Sequence, residues 1–326
     1  MTTSPFLLRR RDVLAGGAAA LALPATAGEI VRADDPGFAA VVDPRAELKT
    51  LYREGRWCEG PCFAPGLGGL VFSDVRSNRM LVIGADDAVR AFRDPSNNAN
   101  GNVLDADDRL VTCEHRTRRV VRREPDGSLT VLAERYAGKP LNSPNDAVLG
   151  PDRAIWFTDP VFGITAPDEG IMAEPEQAAC RVYRIDPSGE VQAMTDEIGQ
   201  PNGIAFAPDG RTLYVTDASA GLRNAEGARA ILAFAVRSDG RLGPRRTFAE
   251  VEAGVPDGLA VDADGRVYAA CVDGIRVFAS DGRGLGRIAT ATDASNVAFG
   301  GGRLFITAGH AVHAIDLKVG DGALRG

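Results

Sequence analysis

Histidine, tryptophan and methionine are scarce in this 326-residue chain, at three, two and four copies, and aromatic residues make up only 6% of it. No histidine stands at zinc-site spacing with a cysteine and no Cys-x-x-Cys occurs, which removes the common structural zinc motifs. Gly-x-Ser-x-Gly elbows, P-loops and EF-hand patterns are missing as well, so the enzyme and sensor classes built on them are excluded on motif grounds. Gly284-Leu285-Gly286 follows a strand-like run but opens no helical pattern, which argues against a dinucleotide site. Positive charge is not in excess: the net charge is −7 and the arginine clusters are short, so no nucleic-acid partner is expected. No apolar run after the amino-terminal segment reaches the roughly 20 residues that span a bilayer. The five cysteines (Cys58, Cys62, Cys113, Cys180 and Cys271) are an odd number in a chain too large to need staples, and they read as packing thiols.

What the chain does contain is the balance of a folded protein, 44% hydrophobic and 25% charged. Its 38 glycines and 19 prolines recur along the whole length, which favours many short strands over helical bundles. At the amino terminus Arg9, Arg10 and Arg11 precede Asp12 and an alanine-rich apolar run that ends in Ala25-Thr26-Ala27. This pattern predicts a twin-arginine-type signal peptide over residues 1–27, engagement of the twin-arginine export machinery, and a periplasmic or secreted product. Residues 28–47 then form an amino-terminal extension.

A short pattern repeats six times over residues 48–326: an apolar run, a tight turn, and a second apolar run. The second run reads Leu70-Val71-Phe72-Ser73-Asp74, Leu110-Val111-Thr112-Cys113-Glu114, Ile155-Trp156-Phe157-Thr158-Asp159, Leu213-Tyr214-Val215-Thr216-Asp217, Val267-Tyr268-Ala269-Ala270-Cys271 and Leu304-Phe305-Ile306-Thr307-Ala308. Third strands follow in all units and fourth strands in all but the last, at a spacing of 37 to 58 residues between turns. Four short strands per unit at that period predict an all-β, six-bladed β-propeller with antiparallel blades. The sixth unit lacks a fourth strand, so residues 48–54 are expected to complete it and close the ring. The longest insertions are residues 160–180 and 218–229, each following a second strand.

The first strand of every blade lines the central channel, which brings residues at its mouth onto one ring. Those positions are Glu59, Asn100, Asn145, Asn202, Asp257 and Asn296. Each alone is an ordinary turn residue. Together, two carboxylates and several amide oxygens suit a hard divalent cation, Ca²⁺ first, with Mg²⁺ or Mn²⁺ next and Zn²⁺ less suited. Glu59, Asn145, Asn202 and Asp257 are the expected ligands.

The ordered set Trp57-Cys58-Glu59-Gly60-Pro61, Thr112-Cys113-Glu114-His115, Ser143-Pro144-Asn145-Asp146, Trp156-Phe157-Thr158-Asp159-Pro160, Pro201-Asn202-Gly203 and Pro256-Asp257-Gly258 resembles the gluconolactonase/regucalcin family of six-bladed propellers. The likeness spans residues 56–317. It implies a divalent cation, usually calcium, on Glu59, Asn202, Asp257 and Asn145, substrate contacts from Asn98, Asn100 and His115, and hydrolysis of a sugar-acid lactone. Cys62 departs from the family, which usually has a larger apolar residue there. On this reading the cation polarises the lactone carbonyl and Asp257 is the general base, with Asp146 behind it as an alternative. Two other readings stand beside it: a phosphotriesterase or arylesterase on the same site, and a non-catalytic propeller that binds a sugar or a protein around a structural ion.

Overall fold

The computed structural model describes residues 30–221 and 226–319, so the expected signal peptide lies outside the described residues. Strands dominate it, broken by one four-residue helix, Phe162–Thr165, and a few 3₁₀ turns. Blade 1 runs outward from the axis as Cys58–Ala64, Gly69–Asp74, Arg79–Ile83 and Val89–Arg93. Blade 2 is Ala99–Leu104, Leu110–Glu114, Arg119–Arg123 and Leu129–Ala133, and blade 3 is Ala147–Leu149, Ile155–Asp159, Arg181–Ile185 and Val191–Thr195. Blade 4 is Pro201–Phe206, Thr212–Asp217, Ala230–Val236 and Leu242–Glu250. Blade 5 begins with Leu259–Val261, Val267–Cys271, Gly274–Phe278 and Gly284–Ile288, and blade 6 with Ala294–Gly300, Arg303–Ala308 and Ala311–Asp316. The first strands of consecutive blades touch all the way round, the sixth meeting the first.

The continuous apolar character of the second strands has a direct packing cause. Successive side chains point to opposite faces of a sheet, and both faces of each blade meet another blade. Leu70 and Phe72 join a cluster shared with blade 6, whereas Val71 joins one shared with blade 2. Ile155 and Phe157 face blade 2 while Trp156 faces blade 4. The described core is therefore a ring of six apolar wedges, one between each pair of neighbouring blades. A polar residue on either face of a second strand would open one wedge.

Ring closure is as expected: Lys49–Tyr52 pairs antiparallel with Ala311–Asp316 and supplies the fourth strand of blade 6. This joins the start of the propeller to its end and covers an otherwise free edge. The extension before it is not a separate element. Val31–Ala33 adds a fifth strand to the outside of blade 5, and Phe38 is fully buried between blades 5 and 6. All five cysteines are free thiols, four of them buried.

Candidate functional site

The polar pairs that end the second strands explain how the ring is built. In blades 1, 3 and 4 the penultimate hydroxyl reaches across to the next blade: Ser73 Oγ donates to the Asn100 carbonyl at 2.7 Å, Thr158 Oγ1 to Asn202 at 2.7 Å and Thr216 Oγ1 to Asp257 at 2.8 Å. The final carboxylate accepts backbone N–H groups of the loop that leads to its own ring residue. Asp74 holds Arg56 and Trp57 just before Glu59, Asp159 holds Asn142 just before Asn145, and Asp217 holds Gly199 and Gln200 just before Asn202. At Asp74, which also pairs with Arg79 at 3.1 Å, such bonds are charge-assisted and about twice as strong as neutral ones, which suits them to fixing the loop. Glycine after a ring residue permits the blades to approach. Gly60 has φ +49°, and a Cβ there would stand 2.0 Å from the Asn100 carbonyl oxygen.

Glu59, Asn100, Asn145, Asn202 and Asp257 all line one cavity of about 510 Å³ at the mouth of the channel. Within it Asn145 Nδ2 donates to Asn202 Oδ1. His115, fully buried, sits behind this wall with Nε2 3.2 Å from Asn145 Oδ1 and 3.4 Å from Asn100 Nδ2. The shorter contact is met with the imidazole proton on Nε2 donating to the Asn145 oxygen. Burial holds the imidazole below its ordinary range, so it is neutral and acts as an orienting donor. Inserted residues 160–180 lie against it, and a Cβ on Gly163 would stand 2.5 Å from the His115 side chain.

The carboxylates carry the electrostatic signature of the site. Burial, and then the charges of Asp257 and Asp146, push Glu59 well above the usual carboxylate range. Burial and Asp146 do the same to Asp257, while Asn202 hydrogen-bonds it and opposes the rise. Among the described residues, Arg76 is the single basic side chain lining the cavity, and it is paired with Glu169 and Asp168. No group of three or more His, Cys, Asp and Glu side chains stands together as a metal centre among the described residues. The available donors are two carboxylates without a basic partner, flanked by amide oxygens, and that mixed set fits a hard divalent cation.

The remaining expected residues fall elsewhere. Asn98 does not line the cavity: its Nδ2 donates to the Val75 carbonyl at 2.8 Å and lies 3.5 Å from that of Asp168, so it holds loops together. Asp146 lies below the ring, its carboxyl pushed up to about 7 by burial and held by the Ala147 N–H at 2.9 Å and Asn296 Nδ2 at 3.3 Å. Asn296, the sixth ring position, is thereby turned across the channel onto blade 3. Glu114, beside His115 in sequence, is fully buried between Arg93 and Arg119 and is structural. Sequence reasoning missed Trp57, Arg76 and Glu169, all of which line the cavity. Trp57 carried a usable signal, since it stands two residues before Glu59; Glu169 lies in an insertion without periodicity and carried none.

Known proteins sharpen the picture. A gluconolactonase of Zymomonas mobilis is 30% identical over 320 residues, covering 90% of this chain and 87% of the relative. A solved gluconolactonase from Xanthomonas campestris is 43% identical with a TM-score of 0.83, covering 88% of this chain and 94% of that one. A pentonolactonase of Haloferax volcanii is 27% identical over 252 residues, 74% of this chain and 77% of the relative. Residues 57–310 match the family model described as the SMP-30/Gluconolactonase/LRE-like region, and the chain belongs to that family.

Proposed function

We propose that this protein hydrolyses a sugar-acid lactone, as the gluconolactonases it resembles are named for doing, with a divalent cation, Ca²⁺ by its donor chemistry, held by Glu59, Asn145, Asn202 and Asp257. The observation that carries the proposal is the convergence of two carboxylates and three amides from five blades on one cavity with no basic partner for the carboxylates. A cation bound there supplies Lewis-acid polarisation of the lactone carbonyl.

The chain's own residues do the rest. Asp257, partly open to the cavity and raised by burial, accepts the proton of the attacking water and returns it to the ring oxygen as the C–O bond breaks. Asn100 presents an amide to the substrate, and His115 fixes Asn145 from behind. Val161, Phe162 and Val255 line the same cavity and make its walls partly apolar, which strengthens the polar interactions inside. Export as a periplasmic or secreted protein remains part of the proposal on the strength of the Arg9-Arg10-Arg11 segment. No helix among the described residues is long and apolar enough to cross a membrane.

The test is metal analysis of the purified protein joined to a lactone panel assayed with and without chelator. The expected result is about one equivalent of divalent cation and ring opening of gluconolactone that chelator abolishes and Ca²⁺ restores. Folded protein that opens no lactone on the panel, with or without added metal, refutes the proposal.

A further inference from the structure

Above the ring, the mouth of the cavity holds a polar cluster that the reaction just described leaves unused. Arg76, in the loop after the second strand of blade 1, donates from Nε and Nη2 to Oε1 of Glu169 at 3.1 and 2.8 Å. Its Nε also lies 3.3 Å from Asp168 Oδ2, and its guanidinium carbon stands 4.9 Å from the centre of the Trp57 ring. Glu169 belongs to the inserted segment of blade 3, so the pair bridges two elements across the opening. The side chains of Arg76 and Glu169 are 34% and 15% exposed. Both bonds use one carboxylate oxygen, and among the described residues no acceptor is recorded on Arg76 Nη1 and no donor on Glu169 Oε2.

A free donor and a free acceptor on one clamped ion pair match a group that both donates and accepts, namely a hydroxyl, and two such sites suit neighbouring hydroxyls. An anion is a poor occupant. Arg76 is already met by two carboxylates, and Glu59 and Asp257 line the same cavity. Stacking on Trp57 and the Asp168 contact hold the guanidinium in place before substrate arrives, so little side-chain freedom is lost on binding.

We propose that Arg76 and Glu169 form a clamp that reads the hydroxyl groups of a polyhydroxylated lactone, Nη1 donating to one hydroxyl and Oε2 accepting from its neighbour. The proposal rests on the lactonase reading and adds to it the part of the substrate that is recognised. An unsubstituted lactone leaves both groups without partners, and a site built to hydrogen-bond hydroxyls discriminates against a substrate that lacks them.

The experiment compares D-glucono-1,5-lactone with δ-valerolactone in the full-length protein and in Glu169→Gln, Arg76→Lys and Asp168→Asn, each first checked for an unchanged cooperative melt. For Glu169→Gln and Arg76→Lys, kcat/KM on gluconolactone falls by roughly 10- to 100-fold, carried mainly by KM, while δ-valerolactone changes less than about twofold. Asp168→Asn, which loosens the anchoring of Arg76 without touching the hydroxyls, shifts the ratio between the two lactones in the same direction by a smaller factor. An equal fall on both lactones overturns the proposal and makes the pair a roof; unchanged gluconolactone kinetics overturn it as well. The two substitutions are independent, so either one decides the matter if the other does not fold. Wild-type protein that opens neither lactone refutes the lactonase reading itself, and this inference with it.

Discussion

Blades 1, 3 and 4 and blade 5 each present a ring residue to the same cavity, but they hold it by different means. In the first three, a carboxylate at the end of the second strand grips the loop that leads to Glu59, Asn145 or Asn202. Blade 5 ends its second strand in Ala270-Cys271, with neither hydroxyl nor carboxylate. Its own blade holds Asp257 by backbone alone, the Asp257 N–H donating to the Ala270 carbonyl at 2.9 Å, and the neighbours add the rest: Thr216 of blade 4 donates to the Asp257 carbonyl, and the following Gly258 N–H donates to the Ser295 carbonyl of blade 6 at 2.8 Å. A residue anchored by its own blade keeps its place through local bonds. Asp257 has backbone bonds to its own second strand but no carboxylate gripping the loop before it, so it leans more on the neighbouring blades than Glu59, Asn145 or Asn202 do.

That contrast can be broken at several points. The largest effect is expected from removing the carboxylates themselves. Asp257→Ala and Glu59→Gln should each lower lactone turnover by roughly 10²- to 10⁴-fold, the range for losing a general base or a group of similar weight, without loss of the folded state. Turnover at saturating substrate and bound-metal content check this, and either variant working at near wild-type rate breaks the assignment. Chelation comes next. A cation present at about 100 times its Kd stabilises the fold by about 2.7 kcal/mol, so its removal should lower Tm by roughly 4–5 °C in a protein of this size, and Asp257→Ala should abolish that shift in calorimetry.

The anchors themselves should differ in weight. Asp74→Ala strands two backbone N–H groups and the Arg79 guanidinium, which lies 3.1 Å from the carboxylate; a loss of about 3 kcal/mol is expected. Cys271→Ala, at the corresponding place in blade 5, should cost only about 1 kcal/mol. Denaturant melts compare them, and equal losses would remove the distinction between the blades. Thr216→Val should cost about 1 kcal/mol, as should Thr158→Val, but the first should lower kcat more, because Asp257 has no carboxylate of its own blade to fall back on.

The smallest effect is on pH. Burial pushes Asp159 up to about 7 against an unfolded value of 3.8. The folded protein therefore binds more protons than the unfolded one between those values, so this group's contribution is complete below about pH 4 and is lost as the pH rises through about 7. Replacing it by Asn removes the dependence. The Tm difference between wild type and Asp159→Asn should shift in favour of the variant from pH 5 to pH 8, and a constant difference would show that the carboxyl is not raised.

Much of the architecture was legible in the chain because it repeats. Leu70-Val71-Phe72 and its five counterparts announce strands buried on both faces, and the tight turns before them set the blade count. The five ring residues that share the cavity were legible for the same reason: each stands at a fixed place in its unit. Asn98 was misplaced because adjacency to a ring strand says nothing about which way a side chain turns, and its backbone is in the left-handed region with φ +50°. Val31–Ala33 was read as extension because three residues have too short an alternation to signal a strand, and its partner lies some 250 positions away in blade 5.

By itself, then, the sequence determined the number of blades, the apolar wedges between them and the height at which each ring residue would sit, since all three follow from local periodicity and turn chemistry. Tertiary structure alone decided which polar groups would meet once the ring closed. Asn296 turned onto Asp146 across the axis, Arg76 took Glu169 from an aperiodic insertion, and Asp257 came to lean on Thr216. Those pairings join residues 41 to 150 positions apart, and such contacts are set by the closed circle of blades rather than by any pattern along the chain.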